Sequence, residues 1–320
     1  MLRHRQQTEY RGFFLVGPTA VGKTAVAHWI AEQHGFDILS ADSMQVYRGM
    51  DIGTAKPTAL ERKQVHYWGL DLVCLQDRFS VGDYRAAALQ AVQAAHAAGR
   101  SLIVTGGTGL YIKSLIHGLE MRPPANEAIR SRAGRLLAEH GVEALQEWLV
   151  RLDPVRYKSL SEPRNPRRLI RAIEIAASGE AFAGQSWQAA PTGPRIPGLM
   201  LPLETLHASI ETRVRHMYAE GLVEEVQHLL ALDLVSAPTA SQAIGYAEVM
   251  ACLSGRYTRE EAIAATVLRT RHLAKRQMTW FRHQANVDWL MLDVAMPIPD
   301  RARKVLEHWQ GHGPTPIVGS

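Results

Sequence analysis

Gly17-Pro18-Thr19-Ala20-Val21-Gly22-Lys23-Thr24 fits the pattern G-x-x-x-x-G-K-[ST] at every fixed position. Glycines there let backbone N–H groups surround phosphate oxygens, and a following helix N-terminus favours anions. Lys23 neutralises charge, and the Thr24 hydroxyl can reach a Mg²⁺. The pattern specifies phosphate but not the compound that carries it. Asp42 follows the short apolar run at 36–39, so its carboxylate is expected at the carboxyl end of a strand, facing bound phosphate. It could hold Mg²⁺ through water or accept a proton from an incoming nucleophile; a plain helix cap is the non-catalytic alternative. A third segment, Thr105-Gly106-Gly107-Thr108-Gly109-Leu110-Tyr111, has paired glycines that allow close backbone approach. Its Thr108 can donate to a phosphate or a base, although an ordinary turn has the same composition. The run before it lacks the terminal acid with which a nucleotide hydrolase usually holds metal, and no N-K-x-D element reads guanine.

Cations gather in two places. Arg271, Lys275 and Arg282 stand at i, i+4 and i+11 of a helix starting at Arg259, with Arg269 and Arg276 nearby and Trp280 and Phe281 adding aromatic surface. A cationic stripe suits a phosphodiester backbone better than one small anion, though a solvated helix face has the same spacing. Arg164, Arg167, Arg168 and Arg171 form the second cluster. Two clusters flanking a phosphate site point to a long, charged second substrate.

These residues need a frame. Short apolar runs at 12–16, 36–39, 70–75 and 102–105 alternate with helical stretches, among them 25–34 and an alanine-rich helix that Ser80 and Asp83 can cap. Alternation of this kind predicts an α/β fold, a P-loop NTPase-like parallel sheet flanked by helices. Residues 1–121 are read as the first part of that core. Residues 122–198 are read as a mostly helical insertion domain, with Pro123 and Pro124 as its hinge and a loop from Pro191 closing it. Residues 199–300 continue the core, opening with a strand at 199–203 and adding helices at 204–232, 242–253 and 259–283. Thr258 and Glu261 can box the last of these, and 301–320 is expected to be a proline-bearing tail.

The 320 residues are 46% hydrophobic, enough for a sizeable core, and carry a formal charge of +5. Cys74 and Cys252 are too few and too far apart for a disulfide framework or a cysteine zinc site, so a reducing cytoplasm is expected. The apolar run at 13–16 is too short for a leader or membrane span, and a monomer with no membrane partner is expected.

Beyond its separate motifs, the chain resembles the tRNA dimethylallyltransferases, also called tRNA isopentenyltransferases. The resemblance runs through GPTAVGKT, the long block D-S-x-Q-x-Y-x-x-M-D-I-G-T-A-K-P from Asp42 to Pro57, and GGTGLY. It continues through Asn165-Pro166-Arg167-Arg168, Ala243-Ile244-Gly245-Tyr246 and the stretch from Ala274 to Arg282. It implies that Gly17 to Thr24, with Arg213, hold the diphosphate of dimethylallyl diphosphate, with Mg²⁺ on Thr24 assisting its departure. Lys23, Thr24 and Asp42 would be the catalytic set, Asp42 taking the proton from adenine N6 as that nitrogen attacks the allylic carbon. The acceptor implied is the adenosine immediately 3′ of the anticodon, flipped out of its loop. Contacts to the tRNA anticodon stem-loop are implied for Asp42, Ser43, Met44, Gln45, Thr108, Arg130, Pro166, Arg167, Arg168, Leu169 and Ile170. They are implied also for Gln242, Ala243, Ile244, Gly245, Tyr246 and Ala247, and for Lys275, Arg276, Gln277, Met278, Thr279, Trp280, Phe281 and Arg282. The segment from Leu201 to His207 is shorter than usual and lacks an arginine common before the next helix. No cysteine follows Cys252, so the resemblance implies the bacterial form of the family, in which no C-terminal zinc finger is expected. A small-molecule kinase shares the phosphate loop and strand-end acid; a non-catalytic RNA binder is the third reading.

Overall fold

A computed structural model describes residues 10–119, 126–179 and 193–319. In chain order, β1 (Tyr10–Val16) feeds the phosphate loop and α1 (Lys23–His34). Then come β2 (Asp37–Ser40), α2 (Ala59–Gln64), β3 (Tyr67–Trp68), α3 (Val81–Ala97), β4 (Leu102–Gly106) and α4 (Gly109–His117). Three helices follow: α5 (Glu127–Leu152), α6 (Pro154–Ser159) and α7 (Pro166–Ala177). The chain returns through β5 (Ile196–Met200), α8 (Leu203–Ala219), α9 (Leu222–Ala231), α10 (Tyr246–Leu253) and α11 (Arg259–Gln284). It ends in β6 (Val287–Met291), α12 (Ile298–His312) and β7 (Thr315–Ile317).

Two compact units result, one of Met1–Leu119 with Gln188–Ser320 and one of Glu120–Trp187. The first is built on a sheet ordered β3-β2-β4-β1-β5-β6, every neighbouring pair parallel, with β7 joining the start of β1 antiparallel. Successive side chains of a strand leave on opposite faces, so Leu15, Ile38 and Ile103 enter the core under α1 and α12, whereas Phe14, Val16, Leu39 and Val104 enter the one under α3 and α4. Both faces are covered, which is why these strands read as unbroken apolar runs. The second unit packs α5, interrupted at Gly141, against α7 around Ala133, Leu145, Leu149, Leu169, Ala172 and Ile173. Both expected capping boxes form: Ser80 and Asp83 on α3, Thr258 and Glu261 on α11.

Several expectations need correction. The run at 70–75 makes only an isolated bridge from Val73 to Tyr47, because Asp71 turns the chain at φ 55° and spends its carboxylate on Lys56 and Arg62. The strand instead precedes it as β3. The helix expected over 204–232 is two, broken at Gly221, whose φ of 103° lies where only glycine is unstrained. The helix expected from 242 starts at Tyr246, after a short 3₁₀ turn at Ala240–Gln242. The returning strand lies at Ile196–Met200 rather than 199–203. The segment 301–320 is no loose tail: Ala302, Val305 and Trp309 form a buried stripe on α12, and Trp309 Nε1 donates to Phe14 O at 3.1 Å. Prolines at both ends of that helix disguised its period. Pro123, Pro124 and Pro191 lie outside the described residues.

Candidate active site

The phosphate loop sits at the carboxyl end of β1, with the loops after β2 and β4 on either hand. Gly22 precedes α1 in the left-handed conformation, no side chain caps the helix, and no acid occupies its first turn. Its leading N–H groups therefore remain available to an anion, with the helix dipole behind them. Thr24 is exposed on that turn, while Lys23 is buried and donates to Pro18 O at 2.6 Å. Burial, then the positive charge of Arg213, lower the Lys23 ammonium to about 7, with Asp42 opposing them. A cation held at that cost is one made to be discharged against an anion.

Lys23, Thr24, Asp42 and Arg213 line one cavity of about 340 Å³, together with Gln277 and an apolar wall that includes Ile38, Ala55, Pro57 and Tyr67. Arg213 reaches it from α8. Tyr67 is oriented by His28 of α1, whose Nδ1 lies 2.8 Å from the phenol oxygen. Asp42 accepts Met44 N–H at 2.9 Å, and Thr108 Oγ1 accepts Ser43 N–H at 3.0 Å. Two sequence motifs are thus tied into one wall. Thr105 also lines the cavity; its buried Oγ1 has no hydrogen-bond partner among the described residues, which leaves that hydroxyl for a ligand. Thr24 and Asp42 both line the cavity, and their side-chain oxygens are of the hard type that fits Mg²⁺.

The G-G-T-G segment is explained by packing against α11. An added methyl at Gly107 would lie 2.1 Å from Gln277 Nε2, and one at Gly109 would lie 2.0 Å from Trp280 Cε3. Gln277 in turn accepts Thr19 N–H at 2.8 Å, so α11 braces both the phosphate loop and the loop after β4.

The block from Asp42 to Pro57 proves largely structural. Gln45 is buried, and its amide is spent on Ser40 Oγ and the carbonyls of Thr54 and Ala55. Buried Lys56 joins Tyr47 O, Asp51 and Asp71 at 2.6, 2.8 and 2.6 Å. Glu225, which no motif marks, accepts the N–H groups of Asp51, Ile52 and Gly53, and also the hydroxyl of fully buried Tyr246 at 2.6 Å. Tyr246, Ala243 and Gly245 are therefore buried in the core of the first unit. Leu169 and Phe281 are likewise buried, each with no exposed area. Ile244 and Ala247 are half-buried, and Gln242 is exposed.

Of the basic helix, Arg269 is engaged by Glu248 and by Gln242 O, and Arg271 lies 3.6 Å from Glu211. Lys275, Arg276, Thr279 and Arg282 are exposed, whereas Met278 is half-buried. In the helical unit, Arg130 donates to Glu174 at 2.7 Å. Burial alone would raise that carboxyl, but hydrogen bonds from Arg130, Asn126 N–H and Arg171 outweigh it and hold it low. Pro166 opens α7 after the cap Asn165, Ile170 is half-buried, and Arg167 and Arg168 are exposed. Arg164 and Arg168 face Glu143 and Glu162 at 3.6 and 3.3 Å, exposed pairs weak enough to exchange for phosphates.

Fold and cavity define a class: an α/β enzyme whose phosphate loop, acid and apolar wall converge on one phosphorylated small molecule. A family model described as IPP transferase matches residues 45–284. Over 92% of its length the chain is 39% identical to a tRNA dimethylallyltransferase of Corynebacterium jeikeium, 95% of which is covered. It is 40% identical to one of Thermobifida fusca, over 92% of this chain and 94% of that one. Among solved structures, the tRNA isopentenylpyrophosphate transferase of Bacillus halodurans superposes with a TM-score of 0.66 at 35% identity, covering 95% of this chain and 98% of that one. The chain belongs to the IPP transferase family. No helix among the described residues is long and apolar enough to cross a membrane.

Proposed function

We infer that this enzyme transfers a dimethylallyl group from dimethylallyl diphosphate to N6 of the adenosine immediately 3′ of the anticodon in tRNA, acting as a monomer in the cytoplasm. One observation carries the reading: in a single cavity, the phosphate loop and Arg213 adjoin an apolar wall of Ile38, Ala55, Pro57 and Tyr67. That pairing suits a diphosphate esterified to a short hydrocarbon better than a nucleotide. Lys23, Arg213 and the N–H groups of Ala20 to Thr24, within the loop Gly17 to Thr24, hold the diphosphate; Thr24, with Asp42 near it, would hold Mg²⁺. The metal, when bound, neutralises charge building on the leaving group. N6 bonds to the allylic carbon as the carbon–oxygen bond breaks, diphosphate takes the electron pair, and Asp42 receives the N6 proton. Exposed Lys275, Arg276 and Arg282 meet the RNA backbone, and Arg130, Arg167 and Arg168 add contacts from the helical unit.

The test supplies radiolabelled dimethylallyl diphosphate, unmodified tRNA and Mg²⁺, without ATP. Label in tRNA is the expected result. Label that enters an acceptor only from gamma-labelled ATP would make the protein a kinase.

A further inference from the structure

At the other end of the sheet from the phosphate loop, Asp288 stands second in β6, where the parallel strands begin, while His308 and His312 lie one turn apart on α12. The three donor atoms fall within 4.8 Å of one another. His308 Nε2 is 2.9 Å and His312 Nε2 3.9 Å from Asp288 Oδ2. Those separations bracket the roughly 3.4 Å required between tetrahedral ligands about 2.1 Å from zinc. The imidazoles lie face to face, centroids 4.3 Å apart and planes 15° apart, so both rings aim along one direction.

The hydrogen bonding of His312 is also that of a ligand. His312 Nδ1 lies 3.1 Å from His308 O, and an N–H there puts the proton on Nδ1 and a lone pair on the nitrogen facing Asp288. A backbone carbonyl on the far nitrogen is the usual support of a metal-bound histidine. The His308 side chain is 7% exposed, and its Nδ1 has no partner among the described residues, so its only polar commitment is toward this cluster. Arg195, 61% exposed at 3.8 Å, approaches the other carboxylate oxygen, Oδ1, and leaves Oδ2 to the imidazoles.

We propose that Asp288, His308 and His312 form a site for an imidazole-preferring divalent cation, Zn²⁺ being the best match, with water completing the coordination. Two nitrogen donors and one carboxylate exclude Mg²⁺ as the preferred occupant. The ion would staple the edge strand β6 to α12. This inference is independent of the prenyl-transfer reading, since the residues share nothing with the cavity.

The experiment uses the full chain, freed of any affinity tag, stripped with chelator and titrated with Zn²⁺ against a chromophoric indicator in excess Mg²⁺. About one equivalent is expected to bind, and His312→Ala, at an exposed position that leaves the Asp288–His308 pair intact, weakens it by at least about tenfold. With Mg²⁺ in excess throughout, added Zn²⁺ raises the melting temperature by a few degrees in the wild type and not in the variant. Co²⁺ in place of Zn²⁺ gives a visible ligand-field band that Asp288→Asn alters. Prenyl transfer in Mg²⁺ alone is equal in wild type and His312→Ala. Absence of stoichiometric Zn²⁺ binding, or equal binding by all three proteins, overturns the proposal.

Discussion

Lys23 allows a quantitative test of the phosphate site. Its ammonium is lowered to about 7 by burial and by Arg213, against the attraction of Asp42. An anionic diphosphate beside it restores the charged form, so binding must draw a proton from solvent wherever the free protein has lost it. At pH 8 the free side chain is about one-tenth protonated, so binding takes up about 0.9 proton; at pH 6 the uptake falls to about 0.1. The sign follows: affinity for a given ionic form of the ligand falls about tenfold per pH unit above 7, and is nearly flat below it. Calorimetric titration of inorganic diphosphate in buffers of different ionisation enthalpy measures the uptake directly. Arg213→Gln removes the second cause of the depression, so its uptake at pH 8 should be smaller than the wild type's. The ligand's own proton exchange is common to both proteins and cancels in the difference. Equal uptake at pH 8 in the two proteins would refute the argument.

Asp42→Asn should lower the rate of prenyl transfer by about 10²–10⁴ while changing the affinity for tRNA far less, measured by single turnover and by filter binding. Tyr246→Phe removes one of four donors to Glu225 and should cost about 1 kcal/mol, a fall of about 2–4 °C in melting temperature, with KM for tRNA unmoved; a raised KM would restore Tyr246 as an RNA contact. Gly109→Ala places a methyl 2.0 Å from Trp280 and should destabilise the fold by about 1–3 kcal/mol in denaturant titration. Replacing Lys275, Arg276 or Arg282 by Gln should each reduce the slope of log affinity for tRNA against log salt by about 1.

Local chemistry was readable from the chain. The phosphate loop, Asp42 at a strand end, and the capping boxes of α3 and α11 all depend on residues within a few positions of each other, where spacing dictates geometry. The alternation of strands and helices was legible for the same reason, while element ends slipped where one side chain turned the chain, as Asp71 does after β3. What the sequence could not disclose depends on distant partners. Arg213 reaches Lys23 across 190 positions, and Gln277 braces Thr19 across 258. Half-buried Glu225 accepts from buried Tyr246, so the tyrosine braces the segment that Glu225 holds, a role no local pattern announces. Burial was decided only by tertiary packing, because a side chain's exposure is set by what other elements lay upon it, and no local pattern around Tyr246, Leu169 or Phe281 carries that information.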